Sequence, residues 1–106
     1  MNPEKHHLDV IPWQFFATFT FKTLRVSEGI YLNAYFSVLR SQAANLGVHF
    51  SRLWWVLRRE EGEISLRPHF HALIAGFPYT AVNEATCFSF MKIWESRGGG
   101  ISRVRV

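Results

Sequence analysis

Hydrophobic and polar positions alternate along Trp13–Lys22 (W-Q-F-F-A-T-F-T-F-K), with Phe19 and Phe21 on one side and Thr18, Thr20 and Lys22 on the other. Alternation of period two in a segment rich in Phe and Thr predicts a β-strand. Ser27-Glu28 then offers a helix start, with a capping hydroxyl followed by an acidic group near the positive end of the helix dipole. Ile30, Leu32, Ala34, Tyr35, Phe36, Val38, Leu39, Ala43 and Leu46 supply an apolar stripe, and Asn45-Leu46-Gly47 closes it with Gly47 past the C-cap. Val48–Glu60, aromatic and β-branched in character, predicts a second strand. Glu61-Gly62-Glu63 predicts a turn, Leu66–Ala75 a third strand, and Gly76-Phe77-Pro78 its end. Thr80 reads as the N-cap of a second helix with Phe88, Met91, Ile93 and Trp94 turned inward. Gly98-Gly99-Gly100 breaks that helix, and Ile101–Val106 alternates as a fourth strand.

The order β-α-β-β-α-β with a central hairpin predicts an α+β, ferredoxin-like split βαβ fold, an antiparallel sheet with both helices on one face. The other face is left free for a site. That architecture hosts many activities and names none.

A chain of 106 residues is expected to be one domain, and ten Phe, four Trp and three Tyr are ample for a core. One cysteine, Cys87, leaves no internal disulfide and no Cys-rich zinc site, and fits a reducing, intracellular setting. No apolar run is long enough to span a bilayer, and no signal-peptide pattern opens the chain, so the expectation is a cytoplasmic protein, or a host-intracellular one if viral. His6 and His7 read as a solvated arm. The net charge of +4 makes an anionic partner plausible, nucleic acid first.

Chemistry concentrates at Arg67-Pro68-His69-Phe70-His71. Successive strand side chains point to opposite faces, so both imidazoles leave one face while Phe70 enters the core. Two neutral imidazoles side by side begin a divalent-metal site. Glu60 and Glu61 end the preceding strand, and the hairpin brings that strand alongside. Two imidazoles and a carboxylate leave positions open for water and a phosphate oxygen, which suits Mg²⁺ or Mn²⁺. Which glutamate takes part depends on hairpin register, because a slip of one residue exchanges the faces.

These residues resemble a family. His69-Phe70-His71 within H-F-H-A-L-I-A-G is similar to the second motif of the HUH endonucleases, two histidines flanking a bulky hydrophobic residue. Phe16-Ala17-Thr18-Phe19-Thr20-Phe21 resembles the first motif of their rolling-circle replication initiators, and Trp54–Gly62 resembles the strand that carries their acidic ligand. The Glu-x-Gly ending favours Glu60 over Glu61 as that ligand. The resemblance covers about Phe15 to Gly76. It implies a replication initiator of plasmid, phage or viral type, a site-specific single-stranded DNA endonuclease and ligase. In such a protein a divalent metal polarises a backbone phosphate and a tyrosine attacks it, leaving a 5′-phosphotyrosine link and a free 3′-hydroxyl. Its partner would be single-stranded origin DNA, with no small-molecule cofactor and no membrane.

The family's tyrosine lies on a helix after the histidine strand, and no tyrosine follows Trp94 here. It is expected beyond Val106, in a C-terminally incomplete nicking domain. Tyr79 is expected to be a half-buried loop aromatic. Tyr31 and Tyr35, one helical turn apart, are expected to be packing residues.

Arg58, Arg59 and Arg67 gather near the hairpin, where phosphates need neutralising. Lys22 and Arg25 follow the first strand, and Arg103 and Arg105 share one side of the last. Trp54 or Trp55, adjacent and therefore on opposite faces, could stack a base. Two other readings compete: a non-catalytic single-stranded nucleic-acid-binding module of RNA-recognition type, and a structural or zinc-binding domain without nucleic acid.

Overall fold

In a computed structural model the protein is described at residues 11–22, 27–61 and 68–106, the side chains at 61 and 68 excepted. The expected turn at 62–63, together with His6, His7, Arg25 and Arg67, lies outside the described residues. Strand β1 (Phe15–Phe21) follows the alternation of its sequence: Phe15, Ala17, Phe19 and Phe21 are buried, and the residues between them are not. Helix α1 (Glu28–Asn45) begins where Ser27 accepts the Ile30 amide on its hydroxyl at 3.3 Å. It ends at Gly47, whose φ of +70° lets the Val48 amide turn back to the Ala43 carbonyl at 2.9 Å. The buried stripe of α1 is Tyr35, Val38, Leu39, Gln42 and Ala43; Ile30, expected inward, is 60% exposed in the first turn.

The second strand starts later than its composition suggests. Phe50–Arg52 form a short 3₁₀ turn, and β2 spans Trp54–Glu61. The ring nitrogen of His49 accepts the Ser51 amide, a local side-chain bond that bends the backbone away from extension. Strand β3 (Pro68–Ala75) pairs antiparallel with β2, so Trp55 faces Ile74 and Glu60 faces His69. A second 3₁₀ turn, Tyr79–Ala81, precedes helix α2 (Glu84–Ser96). The cap of α2 is Asn83 rather than Thr80: the Asn83 side-chain oxygen accepts the Thr86 amide at 2.9 Å, while its amide group donates to the Thr80 carbonyl. The inward face of α2 is Thr86, Cys87, Phe90 and Trp94; Phe88, expected inward, is 60% exposed. Steps of three and four from Cys87 reach Phe90 and Trp94 and leave Phe88 about a quarter-turn or more off that stripe. Strand β4 (Gly99–Arg105) begins two residues before Ile101.

The four strands form one antiparallel sheet in the order β2-β3-β1-β4. This is the split-βαβ, ferredoxin-like arrangement. Both helices cover the face that carries the inward phenylalanines. Tyr31 of α1 stacks on Phe70 at 4.2 Å, and Trp94 of α2 lies 4.7 Å from Phe19 and 4.8 Å from Phe21. Each large side chain so buried contributes roughly 1.5–3 kcal/mol. The opposite face therefore needs no apolar side chains of its own to hold the fold. Among the described residues no helix is long and apolar enough to cross a membrane.

Candidate metal centre on the open sheet face

Residues directly opposite in an antiparallel sheet share a face, so the pairing registers lay out the open face in rows. One row runs Arg58, His71, Thr18, Arg103 across all four strands. The row towards the β2–β3 hairpin holds Glu60, His69 and Thr20. The row on the other side holds Val56, Leu73, Phe16 and Arg105. Phe70, between the histidines, is 2% exposed beneath Tyr31 and Phe21, and both flanking imidazoles consequently stand on the open face.

Glu60 and His71 meet there. The Glu60 Oε2 lies 3.1 Å from His71 Nε2, with the two side chains 56% and 42% exposed. The Thr18 hydroxyl lies 3.3 Å from His71 Nδ1, so both ring nitrogens are engaged. Arg58 also donates to Glu60 Oε2, at 3.4 Å, an exposed pair worth about 0–1 kcal/mol. The neutral ring has two tautomers at these contacts. Either Nε2–H donates to Glu60 while the Thr18 hydroxyl donates to Nδ1, or Nδ1–H donates to Thr18 and the Nε2 lone pair faces the carboxylate. The first satisfies both contacts as plain hydrogen bonds; the second leaves two electron-rich atoms facing each other and is stable only with a cation between them.

The donors fit a divalent ion in number and kind only in part. Two ligand atoms at right angles around a cation with bonds of 2.0–2.1 Å stand about 3.0 Å apart, close to the Glu60–His71 separation. A metal-bound histidine usually donates its other ring N–H to an acceptor, most often a carboxylate, backbone carbonyl or water, and here the Thr18 hydroxyl stands in that place. His69 occupies the position opposite Glu60, half-buried, on the same face. Among the described residues no group of three or more His, Cys, Asp or Glu side chains converges as a ready-made metal site. Glu61 pairs with Pro68 at the end of the hairpin, and its side chain lies outside the described atoms.

The remaining expected contacts divide. Arg58 sits within the site. Arg59 sits opposite Phe70, on the helix-covered face, its guanidinium carbon 6.0 Å from the Tyr31 ring. Lys22 borders a groove with Phe88, Met91, Lys92 and Ile101 between α2 and β4, across the sheet from β2. Trp54 is 61% exposed and shares the open face, but it lies six residues from Glu60 along β2, about 20 Å away. Trp55 turns to the helices, 5.6 Å from Tyr35 and 5.1 Å from Phe36.

No tyrosine lies beside Glu60 and His71 among the described contacts. Tyr31 and Tyr35 pack in the core side of α1; burial pushes the Tyr35 phenol far above its ordinary range, which keeps it protonated. Tyr79, expected half-buried, is 85% exposed, because the 3₁₀ turn that carries it projects beyond the end of β3 farther from His69. The alternation of β1 puts Thr18 on its polar side and assigns it no role. Its place beside His71 comes from the β1–β3 register, which no local pattern states. Phe16, the first residue of the Phe16–Phe21 motif, is 37% exposed on the open face, beside Leu73 and Arg105 in the register. Comparisons with models of protein families, with curated proteins and with solved structures return no match.

Proposed function

We propose that the open face is the metal centre of an HUH-type, single-stranded DNA nicking domain of a replication initiator. Glu60, His71 and His69 would hold Mg²⁺ or Mn²⁺, with His69 completing the set by a side-chain rotation from its place opposite Glu60. When bound, the ion supplies Lewis acidity toward a backbone phosphate oxygen. Thr18 fixes the His71 ring, and Arg58 and Arg103, in the same cross-strand row, neutralise the phosphates of the strand. The observation that carries the reading is the 3.1 Å approach of the Glu60 carboxylate to His71 Nε2, on the face left bare by both helices. Such a domain works on single-stranded origin DNA inside a cell.

The test is binding of a fluorescent single-stranded oligonucleotide with and without Mn²⁺. Tighter binding with the ion in the native chain, and no such gain in His71→Ala, supports the reading. A native chain indifferent to Mn²⁺ removes it.

A second reading, a non-catalytic single-strand-binding module, is favoured by one observation, the exposed Phe16 on the central strand β1. It predicts DNA binding that ignores the metal.

A further inference from the structure

The row next to His71 combines apolar and basic groups in a way the metal centre does not require. Phe16, Leu73, Arg103 and Arg105, with Thr18 and His71, line a shallow depression of about 200 Å³. That is smaller than the roughly 300–1,000 Å³ of a pocket for a whole drug-sized ligand and suits one flat ring system. Phe16 is among its lining residues, beside Leu73 on β3 and Arg105 on β4 in the pairing register. The Arg105 guanidinium carbon stands 5.6 Å from the Phe16 ring centroid. At an exposed site such a contact contributes only about 0.5–1 kcal/mol, so the guanidinium yields the ring to another flat partner at little cost. Arg103 lies one row over, opposite Thr18 and in the same row as His71, with β1 between the two.

An apolar ring beside a line of arginines matches the two halves of a nucleotide: the base stacks on the ring, and the phosphate meets the cations. We infer that Phe16, Leu73 and Arg105 form a nucleobase subsite, which seats an unpaired base of the single strand whose phosphate lies on Arg103 and the metal centre. This rests on the reading of the open face as a single-stranded DNA site and adds a contact to the base beside the metal-held phosphate. Every base has a π-face, so the subsite tolerates sequence and selects for unpaired over paired strands.

The test is fluorescence anisotropy of the full chain with labelled oligothymidylate and with an abasic strand of equal length. Phe16→Leu keeps an apolar side chain but removes the ring, and Phe16→Trp restores one. The expected result is a loss of roughly 5- to 150-fold in affinity for oligothymidylate in Phe16→Leu. Phe16→Trp should bind like the native chain, and Phe16→Leu should match it on the abasic strand. Equal binding of oligothymidylate by native chain and Phe16→Leu, an equal loss on the abasic strand, or no binding of oligothymidylate by the native chain, overturns the subsite. Mn²⁺ affinity measured on the same variants separates the two ideas. If the ring effect is seen and Mn²⁺ does not bind, the metal reading fails and the subsite stands; Mn²⁺ binding without a ring effect gives the converse.

Discussion

The Glu60 carboxylate reaches the imidazole of His71 at 3.1 Å, although the residue directly opposite Glu60 in the register is His69. The contact is diagonal, across two rows of one sheet face. Diagonal neighbours stand about 7–8 Å apart at the backbone, within reach of a glutamate and a histidine that lean toward each other. The Thr18 hydroxyl on the far side of the ring holds it in that lean.

Thr18 is thus expected to tune the site without touching the ion. Thr18→Val keeps the side-chain shape and strand propensity and removes the hydroxyl partner of His71 Nδ1. Mn²⁺ affinity should fall by about 10- to 100-fold, the usual consequence of losing a ligand's supporting bond. Calorimetry on the folded variant checks this, and an unchanged affinity would show that the hydroxyl does not orient the ring.

Tyr35 carries a buried hydroxyl that finds no hydrogen-bond partner among the described residues. Tyr35→Phe relieves that desolvation and is expected to stabilise the protein by about 1 kcal/mol, read from urea unfolding near neutral pH. The folded-state pKa is raised above the unfolded value of about 10. Stability from this group is therefore full below about pH 10 and declines as pH rises beyond it, since the unfolded chain loses the proton first. Above that pH, Tyr35→Phe should lose less stability than the native chain. A destabilised Phe variant would mean that the hydroxyl has a partner after all.

At the start of α2 the competition between two capping residues is open to a direct comparison. Asn83→Ala should cost about 1 kcal/mol, because the Thr86 amide loses its acceptor. Thr80→Ala should stay within about 0.5 kcal/mol, since Thr80 contributes a backbone carbonyl that alanine keeps. Thermal unfolding of the two variants ranks them, and the reverse ranking would restore Thr80 as the cap.

Gly99 opens β4 directly against the indole of Trp94, and a Cβ there would collide with the ring nitrogen. Trp94 is 1% exposed and donates to the Thr20 carbonyl at 2.8 Å, so it has no room to yield. Gly99→Ala should destabilise by about 1–3 kcal/mol. Gly29→Ala, in the first turn of α1 with nothing within 4 Å of the added carbon, should instead stabilise by about 0.5–1 kcal/mol. Urea midpoints with unchanged slopes would report both; a neutral Gly99→Ala would mean that the indole moves.

Much of the scaffold was legible because its signals are local. The alternation around Phe19 and Phe21, the hydroxyl of Ser27 and the glycine at 47 each act within a few residues, and each appears where the pattern put it. The arrangement His69-Phe70-His71 was legible for the same reason, since strand alternation alone sends the rings to one face and Phe70 to the other. The misread places are those where a neighbour outranks propensity. Strand-forming residues at Val48–Leu53 are bent by the His49–Ser51 bond, and Phe88 is apolar yet lies off the stripe set by Cys87, Phe90 and Trp94. The partner of His71 lay beyond reach because it depends on long-range register: Thr18 is 53 residues away in sequence. The choice between Glu60 and Glu61 had the same origin, and the register puts Glu60 opposite His69 and Glu61 opposite Pro68.

The measurement that bears most directly on the metal centre is calorimetric titration of the native chain with Mn²⁺, repeated on His71→Ala, Glu60→Ala and Glu61→Ala. The predicted result is one ion per chain, lost in His71→Ala and weakened by roughly tenfold or more in Glu60→Ala, with Glu61→Ala close to native. A native chain that takes up no ion, or binding that persists in His71→Ala, contradicts the metal centre; equal losses in the two glutamate variants contradict the role given to Glu60.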